Sequence, residues 1–391
     1  MIMKLSSVIL YLSFFVFLIV LGLTIFAFIF PFQMRFDFSI YLLAARAALQ
    51  HATLYPLHYF NTTFTYPPSV LPFFVPFVFF RPDVAASVWN VLSLLAFFAS
   101  IWVLLMIRRK KLPLRYTYLL YACVLILPAV RSTLQFGQVN AVVLFLILLA
   151  FYVSQKKSSV GYIAGFLLGI AAAIKLFPLF LLFYFAVKKQ WQVVFIACSV
   201  FVFFFLAGTF GHWRYIVDYV QYAQYLIAQR RILFGDQSFP MVILLYFPFL
   251  HAFLSEITFF VYACFVGISF FFWGKSSKST LADFVFYSEV LAATILIVMP
   301  YAWTHHLVFL LPLAWSLFLR MWSPGKNTWR IVLFLFFMAS FFISTSFLGN
   351  FFAFFWLEPQ AFSFHALLGL LILYLGKFST KQSPFVIVQT L

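Results

Sequence analysis

Residues 7–30 form one apolar run without a charged side chain. About 20 consecutive apolar residues cross a bilayer as a helix. In lipid the backbone must satisfy its own hydrogen bonds, so such a run folds as a helix wherever it spans. This one is too long for the h-region of a signal peptide, and no small-residue cleavage site follows it. It reads as a retained first helix, and similar runs recur along the chain, among them about 84–107, 116–130, 331–348 and 363–376. Only 8% of the 391 residues are charged and 66% are hydrophobic, where a soluble domain carries roughly 25% charged residues. The predicted fold class is therefore all-α: a polytopic integral membrane protein of about ten to thirteen transmembrane helices. Residues 1–391 are expected to form a single transmembrane domain, with longer outer loops at about 31–83 and 211–238.

The net charge of +17 follows membrane side rather than marking a nucleic-acid surface. With Lys4 in the cytoplasm, threading places Arg108-Arg109-Lys110-Lys111, Lys156-Lys157, Lys188-Lys189, Lys275, Arg320, Arg330 and Lys377 on that same side. Cytoplasmic loops of membrane proteins carry this Lys and Arg excess. Both termini are thus expected in the cytoplasm, and a bacterial inner (plasma) membrane suits a chain without a soluble domain. Apolar stretches 67–80 and 239–250 are short for spans, which leaves the helix count open. Cys123, Cys198 and Cys264 all fall inside apolar runs, so neither a disulfide frame nor a metal cluster is indicated.

The unusual polar residues gather on the other side. Asp37 is one of only eight acidic residues and follows the first apolar run closely. An ionisable group at the membrane is a functional candidate by default. Arg46, Arg131, Gln138, Asn140, Lys175, Asp218, Arg231, Asp236, Gln237, His305 and His306 thread to the same outer face. A transporter places its key polar groups near the midplane, and a channel lines a whole pore. A site at one face suits an enzyme that takes one substrate from the lipid and another from the outer compartment.

Several segments carry a resemblance. They are Asp37-Phe38 with Tyr41, Ala44-Ala45-Arg46 and Leu54-Tyr55; Phe64-Thr65-Tyr66-Pro67-Pro68; and Phe136-Gly137-Gln138-Val139-Asn140. Gly165 to Gly169, leading to Ile174-Lys175 and Pro178, is a further piece, as are Asp236-Gln237-Ser238 and Pro300-Tyr301-Ala302-Trp303-Thr304-His305-His306. In order and spacing, over about residues 30–320, they resemble the polyprenol-phosphate-mannose-dependent mannosyltransferases of glycosyltransferase family 87. The resemblance implies a GT-C fold and a metal-independent reaction without a cofactor. It also implies a catalytic carboxylate at Asp37 and a place for the histidine pair in the site. The implied partners are a polyprenyl-phosphate sugar donor, a lipid or glycan acceptor and membrane lipids, with no nucleic acid.

Transfer from a lipid monophosphate sugar needs a base for the acceptor hydroxyl, donors or cations for the departing phosphate and a held sugar. Asp37 is the candidate base; the plainer alternative is an interfacial carboxylate paired with Arg35 or Arg46. Lys175 interrupts an apolar stretch and is either a phosphate ligand or a side chain snorkelling to the surface. His305 and His306 open a predicted helix, where an imidazole can bond a phosphate or a sugar hydroxyl. Gln138 and Asn140 either bind sugar hydroxyls or cap the next helix. Arg131 and Arg231 are candidates for the lipid phosphate, and Gln237 for substrate contact. Tyr66 precedes two prolines in a structural turn and offers a ring for stacking on a sugar. One base without a second catalytic carboxylate favours inversion, whereas a retaining route would need a nucleophile such as Asp218 or Asp236. No Gly-Lys-Ser/Thr loop, dinucleotide fingerprint or Asp-x-Asp motif is present, which turns the reading from nucleotide sugars to a lipid-linked donor. Two alternatives stay open: another GT-C transferase using arabinose or an aminosugar, and a carrier or flippase of lipid-linked or anionic solutes.

Overall fold

The protein is described by a computed structural model covering residues 2–30, 35–55, 64–107, 112–156, 161–228, 238–275, 279–299 and 301–321. All regular elements among these residues are helical. The chain is an all-α polytopic membrane protein. Four helices among the described residues are long and apolar enough to cross a bilayer: Ser7–Phe28, Pro82–Ile107, Pro248–Lys275 and Thr280–Val298. Leu114–Ile126 and Pro128–Phe136, bent by 57° at one break, would make a fifth. Shorter apolar helices such as Asn140–Ser154, Gly161–Ile174 and Trp191–Ala207 accompany them. Helices predicted at about 331–348 and 363–376 lie outside the described residues. Two compact units divide the chain, Met1–Arg230 and Arg231–Leu391.

In the first unit α1 (Ile2–Phe28) leads to α2 (Phe36–Leu49). The segment expected as an outer loop thus contains a helix, and short helical turns between Pro68 and Phe79 follow. Next come α3 (Pro82–Ile107), α4 (Leu114–Ile126), α5 (Pro128–Phe136), α6 (Asn140–Ser154) and α7 (Gly161–Ile174). The unit continues with α8 (Leu182–Val187), α9 (Trp191–Ala207) and α10 (Arg214–Ala228). α1 packs on α4, with Phe17 stacked on Tyr118 at 5.8 Å. Only 11% of its apolar window is buried, so much of its Phe and Leu bulk faces outward as lipid-facing residues would.

Two breaks shape the unit. Leu127 precedes Pro128 and takes an extended ψ of 130°, because the proline ring excludes a helical residue before it; α4 therefore turns into α5. α5 then stops at Gly137, whose φ of 68° is left-handed, the usual helix-ending glycine. A Cβ there would stand 2.8 Å from Phe38 Cβ and 2.9 Å from Arg35 Cβ, so the glycine also lets α2 approach. Elsewhere α7 and α9 pack face to face. A Cβ on Gly169 would lie 2.6 Å from Val200 Cβ, and one on Gly165 would lie 2.8 Å from the Val193 carbonyl. Small residues four apart let membrane helices come this close.

The second unit begins with α11 (Phe239–Tyr246), capped by Ser238, whose hydroxyl accepts from the Met241 N–H. α12 (Leu254–Lys275) packs on α13 (Thr280–Ala293). Ser279 caps α13 through the Ala282 N–H, and Trp273 Nε1–H donates to Asp283 at 2.8 Å. α13 widens over Thr294–Val298, and its apolar window is 89% buried. A tight helical turn, Thr304–Leu310, leads into α14 (Leu311–Met321).

Candidate functional site

Asp37 is the second residue of α2, so Tyr41, one turn on, shares its face. The first unit closes three more segments around these two: residues 64–70, the Gly137–Asn140 turn and the end of α7. Gln138 joins them. Its Nε2 donates to Asp37 Oδ2, while its Oε1 accepts from the Tyr41 hydroxyl at 3.1 Å and the Tyr66 hydroxyl at 3.2 Å. The two hydroxyls also meet at 2.9 Å.

The basic half lies at the end of α7. Lys175, 7% exposed, donates to Asn140 Oδ1 at 2.8 Å and stands 5.8 Å over the Tyr66 ring. Asp37 and Lys175 are close enough to interact electrostatically. Burial pushes the Asp37 carboxyl above its ordinary value of 3.8, and the Gln138 hydrogen bond and the Lys175 charge pull it down only in part. A carboxylate so placed is more basic than one in water.

Buried contacts hold each segment. Arg35 donates to the Phe28 carbonyl at 2.9 Å, as does Asn90 at 2.8 Å, which fixes the entry to α2. No ion pair joins Asp37 to Arg35 or Arg46 among the described residues. Trp89 Nε1–H donates to the Gly137 carbonyl at 2.9 Å. Tyr55 donates to the Tyr66 carbonyl at 2.9 Å, and Ser69 donates to the Ala173 carbonyl at 2.7 Å. The end of α7 and the Tyr66-Pro67-Pro68 turn are thereby tied together.

Of the sequence candidates, Asp37, Gln138, Tyr66, Asn140 and Lys175 are thus brought together. Gln138 does not cap the next helix, whose N-cap is Val139; its amide is engaged with Asp37 and the two tyrosines. Arg131 is not among them. It is exposed, and its guanidinium sits 5.9 Å over the Phe28 ring. Asp218 pairs with Arg214 at 3.5 Å on α10. Arg231, Asp236 and Gln237 lie outside the described residues. In the second unit His305 and His306 are buried in the tight Thr304–Leu310 turn, with ring centroids 4.5 Å apart. His306 Nδ1 accepts from the Trp303 N–H at 3.1 Å, so a neutral ring carries its proton on Nε2. Among the described residues no group of three His, Cys, Asp or Glu side chains could hold a metal ion. Sequence reasoning gave no site role to Tyr41, although its i+4 spacing from Asp37 was the signal. Nor did it assign roles to Trp89, Tyr55 or Ser69, which act through backbone carbonyls and leave no pattern.

Residues 64–373 match the sequence profile of glycosyltransferase family 87. The chain belongs to this family. The matched range contains Tyr66, Gln138, Asn140 and Lys175 but begins after Asp37. Three curated family-like relatives are polyprenol-phosphate-mannose-dependent alpha-(1-2) mannosyltransferases. The Mycobacterium tuberculosis phosphatidylinositol mannoside enzyme is 28% identical over 46% of this chain and 46% of its own length. The Mycolicibacterium smegmatis phosphatidylinositol pentamannoside enzyme is 31% identical over 44% of this chain and 42% of its own. A second M. smegmatis enzyme, named for phosphatidylinositol mannoside, is 26% identical over 71% and 68%. The chain thus spans less than half the length of the first two. No solved structure matches it.

Proposed function

We propose that this family 87 protein is a membrane glycosyltransferase that moves a hexose, mannose in the first instance, from a polyprenyl monophosphate to a lipid or glycan acceptor at the outer membrane face. Asp37 accepts the proton of the acceptor hydroxyl. The acceptor oxygen bonds to the anomeric carbon while the bond from that carbon to the phosphate oxygen breaks. The polyprenyl phosphate leaves with the electron pair, and its rising charge meets the Lys175 ammonium. One displacement of this kind inverts the anomeric centre.

The observation that carries this reading is the buried pairing of function: a carboxylate made more basic by burial, beside a buried lysine held by Asn140. A general base contributes about 10²–10⁴-fold, and a fixed cation in a dry site stabilises charge that develops on the leaving group. Family membership and the donor named for the three relatives support the lipid-linked sugar. The distribution of Lys and Arg supports an outward-facing site with both termini in the cytoplasm, in a bacterial inner membrane.

The test is transfer from radiolabelled polyprenyl-phosphate-mannose in membranes containing wild type, Asp37→Asn or Asp37→Ala, with a lipid and glycan extract of the native host as acceptor. Transfer by the wild type with loss on the order of 10²–10⁴-fold in both variants is the expected result. Transfer unaffected in folded variants would sink the assignment of Asp37.

A further inference from the structure

We propose that Gln138 is a positioning residue rather than a sugar ligand, and that Tyr41 and Tyr66 act through it to fix which oxygen of Asp37 is the base. This rests on the reading of Asp37 given above. A glutamine amide has two faces of opposite character, one donating and one accepting. Here both faces are engaged, the nitrogen with Asp37 Oδ2 and the oxygen with two tyrosine hydroxyls at 3.1 and 3.2 Å. If the amide turned over, its oxygen would face a carboxylate oxygen and its NH2 would face the hydroxyls. The acceptor-only carboxylate opposes that turn, and the two hydroxyls that donate to Oε1 anchor the amide from its other side. Asp37 Oδ2 is thereby held by a donor, and Oδ1 is the oxygen left to receive the proton.

The arrangement is redundant, and the redundancy gives it a signature. Two hydroxyl protons serve three close oxygen contacts, Tyr41 to Tyr66 at 2.9 Å being the third. If Tyr66 loses its hydroxyl, Tyr41 already stands 3.1 Å from Gln138 Oε1. If Tyr41 loses its own, Tyr66 still donates. Each single loss therefore leaves one lock, whereas the double loss frees the amide. Residues acting on one shared partner are not additive. Gln138 is also pinned by its backbone, since Gly137 at φ 68° presents it and Trp89 holds the Gly137 carbonyl. A side chain fixed at both ends is poorly suited to follow a sugar hydroxyl, and well suited to hold a carboxylate still.

Two measurements test this on the full chain in membranes. The first is steady-state transfer by Tyr41→Phe, Tyr66→Phe, the double variant and Gln138→Leu. Each single Phe variant should lose only a few-fold in kcat. The double variant should fall well below the product of the singles, toward Gln138→Leu, which should lose on the order of 10- to 100-fold, the usual cost of a hydrogen bond to a charged group. KM for the donor should change little. A rise in KM with kcat intact in Gln138→Leu would make Gln138 a sugar ligand and overturn the proposal, as would strictly multiplicative Phe variants. The second measurement needs no activity: the carboxyl stretch of Asp37, identified by its loss in Asp37→Asn, is followed by infrared difference spectroscopy against pH. Its midpoint should rise in both Gln138→Leu and the double Phe variant. An unmoved midpoint in both overturns the proposal even if transfer is seen, and a raised one supports it even if the wild type transfers no mannose.

Discussion

Lys175 Nζ donates to Oδ1 of Asn140 at 2.8 Å, joining the end of α7 to the first residue of α6. This bond sets the position of the buried Lys175 amine. Asn140→Leu should strip that partner from the ammonium, lower thermal stability by about 1–3 kcal/mol and reduce transfer. Asn140→Asp should keep the fold but pair the charge with a carboxylate, so that donor KM rises while the midpoint of unfolding stays near wild type. Thermal denaturation in detergent beside donor titrations separates the two effects.

The pH dependence follows from Asp37. A base acts only when unprotonated, and the folded-state value of Asp37 is raised above 3.8 by burial. Transfer should therefore rise with pH along an acid limb that lies above the ordinary carboxylate value. Lys175→Gln removes a charge that lowers the Asp37 value, so the limb should move further up. For stability the sign is opposite: the folded protein binds this proton more tightly than the unfolded chain. Protonated Asp37 contributes stability at low pH, and the contribution is lost as pH rises through the raised value. A pH–rate profile of Lys175→Gln with its acid limb at or below that of wild type would contradict this.

Gly137→Ala tests the turn that presents Gln138. The left-handed φ of 68° costs an L-residue about 1–2 kcal/mol, and the new Cβ would stand 2.8 Å from Phe38 Cβ. The variant should lose stability and transfer together, because the turn must shift to admit the methyl group. Thermal denaturation and kcat measured on the same preparation check it.

Gly169→Leu should separate α7 from α9, since even a Cβ would lie 2.6 Å from Val200 Cβ and 2.8 Å from the Ala197 carbonyl. A loss of about 1–3 kcal/mol is the usual cost of overpacking. Gly267, in α12, has nothing within 4 Å of its would-be Cβ, and Gly267→Ala should stay within about 1 kcal/mol of wild type. Proteolytic resistance in membranes distinguishes the two.

The long spans were legible because hydrophobic length alone decides them, as at 7–30 and 84–107. The end of α7 was legible because a lysine and a proline interrupt an apolar run there. α2 was not foreseen as a helix: Phe36–Leu49 mixes polar and apolar residues, and its helicity comes from burying Phe38, Tyr41, Leu42 and Ala45 against neighbours remote in sequence. The bend between α4 and α5 was missed because a predicted span of 116–130 ran through Pro128. In the site, the residue types were visible but their pairings were not. Gln138 reaches Asp37 across about a hundred positions of chain, and Arg131, equally plausible by composition, points toward Phe28. Partner choice of this kind is set by helix rotation, which a sequence without spatial context does not specify.

The Tyr66-Pro67-Pro68 turn is held from several directions: Tyr55 on its carbonyl, Ser69 on α7, and Gly208, where a Cβ would fall 2.0 Å from the Pro68 carbonyl oxygen. Two adjacent ring-closed residues add their own stiffness. In the proposed reaction a flexible polyprenyl chain must give up much of its own freedom on docking. The wall that receives its head group has already lost its freedom during folding, so little further ordering of protein is charged against the encounter, and the interactions made there remain available to distinguish the reacting state from the resting one.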